Sequence, residues 1–241
     1  MNSLIKLTAG EVKRLIRYKI LPVSLATTVL WVILFLFVSG AEARQLTPLV
    51  IFVDVAAMSI LLLGASHHLE KQDGTIKTMM VLPVSPWAVL VAKTIASLVL
   101  ALESALIVSV ALFVIHRITF NYAALLAVVL IAGAAHAAIG FVMSLASKDF
   151  TTMLGFLMAY MFVFTIPSVL FSLGVIDAKY EWLLMLSPSH SANHLLTSAV
   201  KGEFNLTMTV FGSVYLVLLT VGLFRFVVYP QFKSNAVRGV V

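Results

Sequence analysis

The sequence predicts an all-α integral membrane protein with six transmembrane helices, and three observations carry that reading. Of its 241 residues, 61% are hydrophobic and 11% are charged, whereas about a quarter of the residues in a soluble domain are charged. The mean hydropathy is +1.09, so the chain lacks the polar side chains to cover a water-exposed surface. The apolar residues also fall into runs of a length that spans a hydrocarbon layer, which takes about 20 helical residues. Those runs use nearly the whole sequence, so residues 1–241 read as a single membrane domain. Cysteine is absent, which excludes a disulfide framework and thiolate chemistry. The net charge of +6 is not gathered into an aromatic-interleaved basic tract, so nucleic acid is not an expected partner.

The elements follow in order. Residues 1–19 form an amphipathic interfacial helix. Leu4, Ile5, Val12, Leu15 and Ile16 share one side of a 3.6-residue period. Lys6, Lys13, Arg14 and Arg17 share the other, an arrangement suited to an anionic lipid surface. Span one runs from Pro22 to about Val38. It is long enough to cross and has no small-residue cleavage site after it, so no cleavable leader is expected. Pro48 opens span two, which reaches Ser66; proline suits a first helical position because its missing N–H costs little there. Span three starts at Pro86 and runs to about Ile115, roughly 45 Å of helix at 1.5 Å per residue. It must tilt or protrude. Spans four (Tyr122 to Leu145), five (Thr151 to Gly174) and six (Leu206 to Val228) complete the set.

Residues 175–205 hold two apolar runs too short to cross alone. They read as a re-entrant helical pair at the outer face or as an extracellular loop with surface helices.

Charge sets the orientation. With both termini in the cytoplasm, twelve of the sixteen Lys and Arg residues lie inside, and Arg44, Arg117, Lys179 and Lys201 lie outside. Cytoplasmic loops carry such an excess. The expected location is an inner (plasma) membrane of prokaryotic type, crossed several times.

The longest polar interruption in the first half runs from His67 to Lys93. Asp73 suits the N-cap of a short helix starting at Gly74. Ile76, Met79, Met80 and Pro83 give that helix one apolar stripe, and Pro83 ends it. Methionine side chains adapt to irregular grooves, which favours docking. Ser85 and Pro86 then start span three, with Trp87 at the interface. A bare connection between two spans would need only a few residues. A helix resting on the lipid surface is the alternative reading.

Glu70, Asp73-Gly74-Thr75-Ile76, Met79-Met80-Val81-Leu82-Pro83-Val84-Ser85 and Lys93 together resemble the signature between spans two and three of ABC-2 type transporter permeases. Lys77 stands where that signature often has an acid, and Pro86 where it often has a base. The resemblance implies a permease subunit paired with a second copy as a homodimer. Two separate ABC ATPase subunits would dock on a cytoplasmic coupling helix formed by Glu70, Asp73, Gly74, Thr75, Ile76, Met79, Met80 and Pro83. ATP and magnesium would belong to those partners, and this chain would need no cofactor. The chain holds no G-x-x-x-x-G-K-[ST] of its own, so it has no P-loop.

Two carboxylates inside spans are the candidate pathway or gating residues, because intramembrane ionisable groups are rare and face the bundle interior or water. Glu103 lies midway along span three. Asp54 lies near the outer end of span two, where simple exposure at the interface is the competing explanation. His136, among small residues in span four, reads as an interhelical hydrogen-bonding group. His190 and His194 are four apart and would share a metal only on a helix. Ser187-Pro188-Ser189 suggests a turn there and no third ligand is near, so no metal site is assigned. Three functions fit the whole. They are an ATP-driven exporter of hydrophobic or amphipathic cargo by alternating access, a proton-coupled secondary transporter using Asp54 or Glu103, and a non-transporting membrane assembly protein.

Overall fold

The computed structural model describes residues 3–75 and 84–238. All regular structure in them is helical. Helix α1 (Ser3–Arg17) meets α2 (Ile20–Leu36) at a 67° bend, where Lys19 adopts the left-handed conformation at φ 61°. Helix α3 runs from Gly40 to Gln72, α4 from Pro86 to His116, α5 from Tyr122 to Ala146 and α6 from Phe150 to Ser172. The short α7 (Glu181–Leu184) and α8 (Pro188–Lys201) precede α9 (Leu206–Leu223), which continues through a π turn into α10 (Tyr229–Arg238). Among the described residues, five helices are long and apolar enough to cross a membrane, and the α1–α2 pair makes a sixth if counted as one bent span.

Most ends match the caps written in the sequence. Ser85, Asn121, Asp149 and Asn205 each accept a backbone N–H in the first turn of α4, α5, α6 and α9, which satisfies a donor that the helix itself leaves unpaired. The hydrogen bonds from Thr152 hold the Asp149 carboxyl below its ordinary pKa.

Span two departs from the sequence reading at both ends. It opens at Ser39, not at Pro48. Ser39 and Glu42 form a capping box, which supplies two reciprocal bonds at a helix start. Pro48 sits inside the helix, and beside it the Thr47 hydroxyl donates to the Ala43 carbonyl at 2.6 Å. The helix then continues past Ser66 to Gln72, so His67 and Glu70 belong to it rather than to a loop. Asp73 is its C-cap, and Gly74 follows at φ 67°. The expected N-cap role of Asp73 is therefore replaced by a C-terminal one, with glycine in the left-handed position that ends many helices.

Among the described residues, π turns interrupt the spans at Asp54–Met58, Met161–Thr165 and Phe224–Val228. Two of them precede prolines. Pro167 and Pro230 lack the N–H that would bond the carbonyls of Val163 and Phe226, so each freed carbonyl lies within a π turn.

Helix α5 is the centre of the bundle, packed by α3, α4, α8 and α9. Its run Gly133-Ala134-Ala135-His136-Ala137-Ala138-Ile139-Gly140 keeps the neighbouring backbones close. In contrast, α2, α6 and α9 turn Leu30, Leu36, Met158, Phe162, Val163, Leu206 and Leu218 outward, as a lipid-facing surface does. Helix α8 has 14 residues and cannot cross alone, yet most of its residues are buried against α3, α5 and α9. Ser187 caps its start and Gly202, at φ 77°, ends it, so Ser187-Pro188-Ser189 begins a helix instead of breaking one.

Candidate functional site

The two ends of the polar loop meet in a buried ion-pair cluster. Glu70 lies in the last turn of α3, and Lys93 lies two turns into α4. The Lys93 ammonium donates to Glu70 at 2.6 Å and to Glu11 of α1 at 3.0 Å. Arg14, one turn after Glu11, donates to Glu11 at 2.6 Å and lies 3.9 Å from Glu70. Glu70 is 0% exposed, and Glu11 and Lys93 are buried. Two carboxylates thus share two cations where water is scarce, which makes the cluster costly to break from either side. Ser66 adds a 3.4 Å bond to Glu70.

The placement follows from local sequence. Leu15 and Ile20 pack with Leu62, Ala96 and Leu100, and this apolar contact brings the inner face of α1 against α3 and α4. Glu11 is one turn before Leu15, so it faces the same way. Helix α1 is therefore amphipathic as predicted, but its buried side carries an acid.

A second tether lies just outside. The Tyr18 hydroxyl, at the α1–α2 elbow, donates to Asp73 at 2.8 Å. Burial, and then the neighbouring Asp73 carboxylate, raise the phenol pKa above its ordinary value, so Tyr18 remains a donor at neutral pH. Lys71 donates to the Lys148 carbonyl between α5 and α6 at 3.3 Å. At the far side of the loop, Trp87 stacks on Tyr229 of α10 with ring centroids 4.7 Å apart. The loop is thus anchored at both ends to α1, to the α5–α6 connection and to α10.

Among the expected docking residues, Glu70 points inward and is occupied by Lys93. Asp73 is exposed, and Gly74 and Thr75 are half-buried. Ile76, Met79, Met80 and Pro83 lie outside the described residues. The residue that sequence reasoning missed is Glu11. The available signal was a single acid on the apolar side of a basic helix.

The candidate pathway residues sit deeper, between α2, α3 and α4. Asp54 is buried at 6% exposure, which overturns the reading of interface exposure. It starts a π turn, accepts from Trp31 Nε1 of α2 at 3.0 Å, and accepts from the Ser104 hydroxyl of α4. Next to Ser104, the half-buried Glu103 accepts from Ser24 of α2 at 3.0 Å. Its other oxygen has no hydrogen-bond partner. The two carboxylates therefore form one polar seam through three spans, and a π turn is a frequent companion of functional positions.

His136 behaves as its sequence context suggests. It is fully buried, with Nδ1 2.8 Å from the Ala132 carbonyl and Nε2 3.1 Å from the Tyr160 hydroxyl. Tyr160 then accepts from Ser189 at 2.9 Å, and Ser189 is 3.0 Å from Thr165. This chain of bonds fastens α5, α6 and α8. Beside it, His190 Nδ1 is 3.2 Å from Ser168, and Asn193 donates to Ser168 and Ser172.

A family model, that of the ABC-2 family transporter proteins, matches residues 43–229, more than half of the chain. The matched stretch contains the loop, Glu70 and Lys93, and leaves Glu11 outside it. No curated protein matches the sequence significantly.

Proposed function

The chain belongs to the ABC-2 transporter family, and on that premise we propose that it is the permease subunit of an ATP-driven exporter, acting as a homodimer with two separate ABC ATPase subunits. Members of the family are transmembrane components without an ATPase site of their own, and no P-loop occurs in this sequence. The observation that carries the reading is the anchoring of the loop. Residues 71–92 leave from Glu70 and return to Lys93, and the two ends are ion-paired to each other and to α1. An ATPase subunit that docks on Asp73, Gly74, Thr75 and the Ile76–Met79–Met80 stripe would move both ends together. Helix α4 is continuous from Pro86 through Glu103, so displacement of its start tilts the seam holding Asp54 and Glu103. We assign that seam to the cargo pathway or its gate, and hydrophobic or amphipathic cargo suits a bundle with so few intramembrane charges. In this reading both termini and the loop are cytoplasmic, in a prokaryotic inner membrane, and α8 is a re-entrant segment at the outer face.

The test is purification from the native membrane. The expected result is co-purification of an ABC ATPase whose hydrolysis responds to cargo, and loss of that subunit on Met79→Asp with the bundle still folded. Met79→Asp places a charge in the apolar stripe that the sequence pattern predicts for the docking segment. Unchanged co-purification and transport in this variant would overturn the docking model. Transport that runs in ATP-depleted proteoliposomes on a proton gradient alone would favour a secondary transporter built on Asp54 and Glu103.

A further inference from the structure

At the opposite end of the bundle from the loop, α8 borders a cavity of about 360 Å³ that is lined by residues of α3, α6, α7 and α8. His190 and His194 both line it. They are four residues apart on a continuous helix, so they lie on one face about one turn apart. Each imidazole already has its Nδ1 engaged. His190 Nδ1 is 3.2 Å from the Ser168 hydroxyl, and His194 Nδ1 is 3.1 Å from Glu181 Oε1. Each Nε2 is buried and has no hydrogen-bond partner, and His190 as a whole is 2% exposed. An ionised carboxylate only accepts, so in the neutral imidazole the Glu181 contact places the proton on His194 Nδ1 and the lone pair on Nε2.

We propose that this cavity binds a divalent transition-metal ion, of the zinc, copper and nickel class, through the Nε2 atoms of His190 and His194. Imidazole is a ligand of choice for those ions. Two histidines at i and i+4 on one helical face are an established arrangement for holding them. A carboxylate on the far ring nitrogen is the usual outer partner of a metal-bound histidine, because it fixes the tautomer and raises ligand basicity. Among the described residues no third His, Cys, Asp or Glu completes a cluster. The remaining coordination positions are therefore open to water or to an electron-pair donor on a bound molecule. The proposal does not depend on the exporter reading.

The experiment is a Cu²⁺ titration of the tag-free, full-length protein in detergent, read by electron paramagnetic resonance and competed with Zn²⁺. The reference is the double variant His190→Ala/His194→Ala, because other histidines also bind copper. The expected result is one Cu²⁺ with two nitrogen ligands in the wild type, absent from the double variant and displaced by Zn²⁺. Glu181→Gln should weaken binding by about 10–100-fold. Because His190 is buried, His194→Gln serves as a milder variant, and it should also lose the two-nitrogen signal. A Zn²⁺-dependent rise of the wild-type unfolding temperature that is missing in His194→Gln gives a readout independent of copper. Equal copper stoichiometry and affinity in wild type and double variant, or no copper bound by the wild type, would overturn the proposal.

Discussion

Lys93→Met is expected to destabilise the protein by about 3–5 kcal/mol, the range for removing one partner of a buried ion pair. Methionine keeps most of the lysine stem, so the change removes charge rather than packing. It strands Glu70, 0% exposed, and Glu11, 5% exposed, beside Arg14 as a neighbouring cation. Arg14 bonds Glu11 closely but lies 3.9 Å from Glu70, so its rescue is partial and the loss falls nearer the lower figure. Thermal or denaturant unfolding in detergent measures it. The double variant Lys93→Met/Glu70→Gln is expected to recover part of the loss, because the carboxylate left without its partner is then neutral. A Lys93→Met protein as stable as the wild type would show that the cluster does not hold α1, α3 and α4 together.

Gly140→Leu is the second large effect. A Cβ at Gly140 meets the Ile60 Cα at 3.1 Å and the Ile60 carbonyl oxygen at 3.5 Å. Those are backbone atoms of α3 and cannot rotate away. A leucine there must part the two helices, at about 1–3 kcal/mol or more for overpacking. Gly140→Ala has a milder balance, since alanine gains about 1 kcal/mol of helix propensity over glycine against the tight contact. Gly155 is the control. A Cβ there meets nothing within 4 Å, so Gly155→Ala should be neutral or stabilising. Equal unfolding temperatures for Gly140→Leu and Gly155→Leu would contradict the packing of α5 on α3.

Much of the fold was legible because its signals are local. Ser85-Pro86, Asn121 and Asn205 cap the helices that follow them, and the apolar runs behind those caps are continuous. Span two misled because two start signals compete. Pro48 is the louder one, yet Ser39 and Glu42, spaced as a capping box, satisfy more donors. Its far end misled for another reason. His67-His68-Leu69-Glu70 is polar by composition, and only the partners supplied by α1 and α4 make it an interior. Lys93 is 23 residues from Glu70 and 82 from Glu11. No period within one helix encodes such a meeting. Asp54 was misplaced likewise, because its donors, Trp31 and Ser104, come from two other helices. His136 is legible because its neighbours are glycine and alanine, and a lone imidazole in such a run has little to do except bond across a helix interface.

On the proposed function, the loop anchored by Glu70 and Lys93 is where an ATPase subunit would engage this chain. The sequence contains no cysteine, so a single introduced thiol reports without background. The direct measurement is cross-linking from Thr75→Cys at the loop, compared with Glu203→Cys beyond the end of α8, in membranes that also contain the ATPase subunit. The account predicts a cross-link to that subunit from position 75 and none from position 203. A cross-link from position 203 and none from position 75 would contradict it.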